Sequence, residues 1–246
     1  MTNEISDSAT LIGEVTIGTG NFIGPGAVII GPIAIGNNNY FGPHCVVGTP
    51  PQDTIINSIE HEKTTLGLRT GKNRIKIGNN NIIREFVTVH QGLTSITEIE
   101  NHCYLMSYVH IAHDCKISSN VKIANNVQMG GYSTILQEAY VGLSAVLHQF
   151  TIIGAFAMIG MASVVTRNIP PLGLVVGSPA RVIKINQKAL EKTGLNDFEW
   201  VDDYLKSPSL SNIHPKLQIY FQNYLDITSS RSKERKAITI YRKTLS

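Results

Sequence analysis

A period of six residues runs through most of this chain and limits its fold more tightly than any other feature. Stepping by six from Ile99 gives Leu105, Ile111, Ile117, Ile123, Met129, Ile135, Val141, Leu147, Ile153, Ile159 and Val165, all aliphatic or methionine. Two residues before each stand Thr97, Cys103, Val109, Cys115, Val121, Val127, Ser133, Ala139, Ala145, Thr151, Ala157 and Ser163, all small or β-branched. The same phase appears earlier at Ile17, Ile23, Ile29, Ile35, Phe41 and Val47, and again at Ile77, Ile83 and Val89. Glycine follows directly at Gly18, Gly24, Gly36, Gly42, Gly48 and Gly78, where a turn with positive φ would want it. A six-residue period fits neither an α-helix nor a heptad seam. It fits a short strand and a corner, repeated so that three sides close a coil of about 18 residues. The expected class is therefore mainly β, a parallel β-helix of hexapeptide repeats whose large aliphatics point inward.

The phase breaks twice, at residues 49–74 and 91–95, and loops leaving a regular solenoid are where binding groups gather. After Val165 the pattern fades through Pro170, Pro171 and Pro179. Helical patterning then covers 188–192, 197–206 and 214–226, while the polar stretch from Ser229 to Lys236 carries no clear order signal. The organisation expected is a β-helix over 1–186 and a small α-helical region with a tail over 187–246, its helices capping the last coil against open-edge pairing.

Charge separates the partner classes. Net charge is +3, and no run of lysine and arginine interleaves with aromatics, so nucleic acid is not expected. The mild positive balance suits an acidic carrier protein or a phosphorylated substrate, and equally a solvated face that meets no partner. Cys45, Cys103 and Cys115 lack metal-ligand spacing and are odd in number, which reads as buried thiols in a reducing compartment. Met1 to Ala9 has no apolar run and nothing approaches a membrane span, so the expected location is the cytoplasm.

By register, His110, His113, Asp114, Tyr132, His148 and Gln149 all fall on outward positions. Residues 18 apart stack one coil above another, so His113, Gly131 and Gln149 share a column, as do Asp114, Tyr132 and Phe150. An imidazole one strand spacing from the free backbone N–H of Gly131 pairs a base with an oxyanion donor, which acyl transfer requires. His110 and His113 have no carboxylate or cysteine at ligand spacing beside them, so no metal is expected, and no cofactor motif is present.

These residues resemble the left-handed β-helix acyltransferases, above all the UDP-N-acetylglucosamine acyltransferases of lipid A synthesis, over about residues 10–195. The stretches that carry the likeness are His110-Ile-Ala-His-Asp-Cys115, Ala124-Asn125-Asn126 and His148-Gln149-Phe150 with Ile152-Ile153-Gly154-Ala155. Val87-Thr88-Val89-His90 and Asn168-Ile169-Pro170-Pro171 agree as well. The resemblance implies a left-handed coil, against the usual crossover preference, and a homotrimer with sites between subunits. It implies that His113 is the general base for the sugar 3-hydroxyl, that Asp114 orients it, and that the Gly131 N–H holds the oxyanion. Gln52, Asp53, His110, His148, Gln149 and Asn186 would line the sugar-nucleotide or acyl site, and acyl carrier protein would supply a 3-hydroxyacyl group. The chain departs from the family at Tyr132, which stands for a histidine, at Ile55 for a lysine, and at Thr193 for an arginine. Met161, placed in the column of His113 and Gln149 two sides beyond Gln149, stands where long-chain members have glycine and predicts a shortened acyl groove. These departures leave room for another reading, O- or N-acylation of a different amino-sugar nucleotide from acyl-CoA, and the fold alone also serves non-catalytic scaffolds.

Overall fold

The computed structural model describes residues 2–54, 74–195, 200 and 210–245. Its strands form three sheets that spiral as a three-sided parallel β-helix. The first sheet begins with Glu4–Ile5, Phe22–Ile23 and Tyr40–Phe41, the second with Thr10–Ile12, Val28–Ile30 and Val46–Thr49, and the third with Val15–Ile17 and Ile33–Ile35. Uninterrupted coils advance 18 residues, as where Tyr104 pairs with Lys122, Ile111 with Met129 and Ile117 with Ile135. Ile83 pairs with Phe41 and with Leu105, steps of 42 and 22, so the two phase breaks add 24 and 4 residues to their coils. The parallel triangular coil agrees with the left-handed β-helix that the resemblance implies.

The inward columns form one continuous core. Phe41, Ile29, Ile111, Ile123, Ile135 and Ile159 are wholly buried, and the small column beside them (Cys45, Cys103, Cys115, Ala157) fills the corners. Burial pushes all three thiols up to about 12, so they pack as neutral groups. Asn21, Asn39 and Asn81 stack inside one corner, each side-chain carbonyl accepting the backbone N–H of the next coil, at Asn39, Asn81 and Cys103.

The corner geometry differs from the sequence expectation. Of the six glycines singled out, only Gly48 has positive φ. The left-handed residue falls three positions after the inward aliphatic and is mostly not glycine: Asn38, Asn80, Asp114, Asn126, Tyr132 and Phe150 have φ between 56° and 66°. The glycines that directly follow strands answer a different demand. A Cβ at Gly42 would lie 2.6 Å from the Glu85 nitrogen, and one at Gly36 would lie 2.6 Å from the Gly78 carbonyl oxygen. Close stacking of coils, not backbone sign, selects Gly36 and Gly42.

Beyond the coil, Gly173–Val176 and Arg181–Ile185 pair antiparallel and extend the first sheet. A short helix α1 (Gln187–Lys192) and a long helix α2 (Pro215–Leu245) follow, so α2 runs through the stretch in which the sequence shows no order signal. The patterning at 197–206 lies, except for Trp200, outside the described residues. Helix α2 meets the end of the coil at its start and then leaves it. Leu217 and Phe221 pack with Leu172, Ile185 and Leu190, and then Tyr220, Tyr224 and Ile227 lie against Leu136, Ile152 and Ala155 on the outer face of the third sheet. The helix therefore runs down one side of the prism, because that face offers apolar outward residues to cover.

Candidate functional site

The corner between the second and third sheets gathers the polar residues. His110 opens the two-residue strand His110–Ile111 of the second sheet, and His113 and Asp114 occupy the turn that follows it. His113 Nδ1 lies 2.7 Å from an Asp114 carboxylate oxygen. Both point outward by register, yet His113 is 6% exposed and Asp114 is wholly buried. The outward register holds, and the short insertion at 91–95 folds over this corner and covers both side chains.

That insertion makes an anion-binding nest for Asp114. One carboxylate oxygen accepts from the Thr94 N–H (2.9 Å), the Thr94 hydroxyl (3.1 Å), the Ser95 N–H and the Ser95 hydroxyl (2.9 Å). The other accepts from the Leu93 N–H (3.0 Å) and faces His113. Burial by itself would raise the Asp114 carboxyl, but hydrogen bonds from His113, Leu93 and Ser95 outweigh it and hold the group below the usual carboxylate range. An ionised Asp114 fixes the proton of neutral His113 on Nδ1 and leaves Nε2 to accept.

Gly131 meets that imidazole one coil on. A Cβ there would lie 2.8 Å from both His113 Cε1 and Nε2, so only glycine lets the ring and the turn approach. Its neighbours are tied down. Gly130 N–H donates to Leu147, Tyr132 N–H donates to His113, and the Gly131 carbonyl accepts from Phe150, while the Gly131 N–H makes no hydrogen bond among the described residues. The Tyr132 ring, buried, stacks on Phe150 (centroids 4.7 Å apart) and meets the His113 ring edge-on at 5.1 Å.

A second group of rings adjoins the dyad. His110 Nδ1 is 2.9 Å from the Thr88 hydroxyl, and its ring meets His90 at 5.0 Å. His90 Nδ1 in turn lies 2.8 Å from the Pro50 carbonyl oxygen at the mouth of the long insertion. Burial, then the neighbouring His90 and His113, push His110 down to about 4, so it stays neutral near pH 7.

The remaining expected residues are placed less uniformly. His148 and Gln149 are exposed at the same corner, the His148 ring Nδ1 3.0 Å from the Gln149 carbonyl oxygen. Gln52 is exposed and Asp53 half-buried just past Pro50, whereas Ile55 lies outside the described residues. Asn186 caps α1: its side-chain oxygen accepts from the Ala189 N–H, and its amide nitrogen donates to Phe156 at 2.9 Å. Thr193 closes the same helix through its hydroxyl on Leu190. Neither belongs to the His113 cluster within one chain. Met161 is also elsewhere. Twelve residues beyond Gln149 is two sides and not a full coil, so it sits at the corner between the first and second sheets, 73% exposed.

Sequence reasoning assigned no role to Leu93, Thr94 and Ser95. A usable signal was present, since Ser95 precedes His113 by one coil of 18 and lies in the phase break. A second omission is Arg231 on α2, which donates to the Tyr132 carbonyl at 2.7 Å and to the Thr134 hydroxyl at 2.9 Å. No column arithmetic reaches it. Among the described residues no three His, Cys, Asp or Glu side chains converge as a metal site, and no described helix is long and apolar enough to cross a membrane.

Comparison with known proteins agrees with this geometry. The family described as bacterial transferase hexapeptide (six repeats) matches residues 5–49 and 96–131. A Synechocystis protein named acyl-[acyl-carrier-protein]–UDP-N-acetylglucosamine O-acyltransferase is 38% identical over 186 residues, covering 75% of this chain and 56% of its own. The protein of that name from Gloeothece citriformis is 36% identical over 156 residues, 63% of this chain and 52% of its own. The chain thus spans about half the length of these curated relatives. Among solved structures, the UDP-N-acetylglucosamine acyltransferase of Campylobacter jejuni superposes with a TM-score of 0.62 at 28% identity, covering 82% of this chain and 79% of that one. The Francisella novicida enzyme of the same description gives 0.63 at 26% identity, covering 95% and 86%. Repeat, coil and similarity coincide: the chain is similar, in sequence and in fold, to hexapeptide-repeat transferases.

Proposed function

We propose that this chain is an acyltransferase that moves an acyl group, a 3-hydroxyacyl group by the resemblance, from acyl carrier protein to the 3-hydroxyl of a UDP-N-acetylglucosamine-like sugar nucleotide. The observation that carries this is His113, held through Nδ1 by buried Asp114 and abutting Gly131, whose N–H is uncommitted among the described residues. His113 Nε2 takes the hydroxyl proton as the sugar oxygen attacks the thioester carbonyl. The Gly131 N–H donates to the oxyanion of the tetrahedral intermediate. Collapse breaks the carbon–sulfur bond, and the departing thiolate takes the proton from the His113 imidazolium. Asp114 stabilises that imidazolium without itself being protonated. His110, Gln52, Asp53, His148, Gln149, Asn186 and Met161 are proposed to contact the substrates, at sites between the subunits of a homotrimer.

A second reading, acylation of an amino-sugar nucleotide from acyl-CoA, is favoured by Tyr132, whose ring packs against both Phe150 and His113 and reshapes the acceptor side. The test offers the purified protein UDP-N-acetylglucosamine and an amino-sugar nucleotide, each with hydroxyacyl carrier protein and with acyl-CoA. Turnover of the first pair, lost in His113→Ala, supports O-acylation. Turnover only of the amino sugar with CoA selects the second reading, since a neutral amine needs a weaker base. No turnover with any pair refutes both.

A further inference from the structure

We infer that Arg231 of the C-terminal helix is a positioning residue for acyl transfer, an inference that rests on the acyltransferase reading. Three observations converge on it. First, the helix α2 face bearing Tyr220, Tyr224 and Ile227 is the face docked on Leu136, Ile152 and Ala155, and Arg231 continues that face one turn further. Second, its guanidinium spans two acceptors at once, the Tyr132 carbonyl at 2.7 Å and the Thr134 hydroxyl at 2.9 Å, in the fork geometry that lysine cannot reproduce. Third, both acceptors belong to buried residues, Tyr132 in the turn that carries Gly131 and Thr134 at the start of the strand that leaves it.

Apart from the Gly131 N–H, neighbouring peptide groups of the turn are already held. Tyr132 N–H donates to His113, the Gly131 carbonyl accepts from Phe150, and Gly130 N–H donates to Leu147. Arg231 supplies the restraint on the next carbonyl. It thereby fixes the plane of the turn that aims the Gly131 N–H and presses the Tyr132 ring edge-on to His113. A C-terminal helix with no residue in the dyad thus sets the geometry of the oxyanion donor. Such a donor acts only if it is already in place when charge develops.

The test compares wild type, Arg231→Gln, Arg231→Lys and Arg231→Ala by steady-state kinetics and by hydrogen exchange of the segment 128–135. Arg231→Gln should lower kcat about 10-fold or more, the range expected for a sub-ångström displacement of a catalytic group. KM should change by less than about twofold, because substrate contacts are untouched. Arg231→Lys should recover only part of the loss, and millimolar guanidinium should rescue Arg231→Ala. Exchange should quicken in 128–135 and not in the coils before residue 49. Unchanged kcat and unchanged exchange would overturn the inference. So would equal acceleration along the whole coil with kcat and KM both impaired, since that describes only a stabilising contact. A wild type without turnover would defeat the acyltransferase reading instead, and the exchange data would still decide whether Arg231 pins the turn.

Discussion

Asp114→Asn tests the electrostatic logic of the site with almost no change of shape. Six donors converge on the carboxylate, four on one oxygen from Thr94 and Ser95 and two on the other from Leu93 and His113. An amide offers one oxygen and one NH2. The least costly placement keeps its oxygen toward Thr94 and Ser95 and turns the NH2 toward Leu93 N–H and His113 Nδ1. The Leu93 amide then meets another donor, a loss of about 1–3 kcal/mol in stability. His113 can satisfy the NH2 only by accepting at Nδ1, which moves its proton to Nε2. An imidazole protonated at Nε2 cannot take a proton from a hydroxyl there. The expected loss is that of the general base, about 10²–10⁴ in kcat, or ~3–5 kcal/mol in the barrier. Initial-rate kinetics under saturating substrates, with a thermal melt to show the variant folded, measure it. A folded Asp114→Asn protein with kcat within about threefold of wild type would refute the tautomer argument.

Other outcomes follow from the same geometry. Gly131→Ala places a methyl 2.8 Å from the His113 ring, so kcat should fall about 10²-fold with the backbone N–H still present; a near-normal rate in a kinetic assay would mean the ring and turn are not held together. His110 has a depressed pKa of about 4, so protonation favours the unfolded chain; its contribution is complete above about pH 6.5 and is lost as pH falls toward 4. Melting temperature should therefore drop over that window in wild type and less in His110→Asn, while Asp114, whose folded pKa is lowered, loses its contribution only below about pH 4; parallel curves would contradict the assignment. Met161→Gly should lengthen the preferred acyl chain in a donor-length series, each added buried methylene being worth about 0.8 kcal/mol, and an unchanged preference would remove Met161 from the acyl groove.

The parallel coil, its three sides and its inward columns were legible in the sequence, because a six-residue period leaves few ways to bury Ile111, Met129 and Leu147 together. The column rule also brought His113 beside Gly131, since parallel pairing without a break makes 18 residues one coil. It failed where chain steps were not whole coils, as at Met161, and where a residue left the coil. The glycines after strands were legible as positions but not as causes: coil-to-coil contact is a property of the neighbouring chain, not of a residue's own φ. Burial of Asp114, the nest made by Leu93 to Ser95, the side along which α2 docks and the reach of Arg231 to Tyr132 were decided only by tertiary structure. Periodicity reports which way a side chain leaves its own strand. It carries no information about which irregular segment will fold back to cover it, because that depends on long-range packing between residues with no fixed spacing.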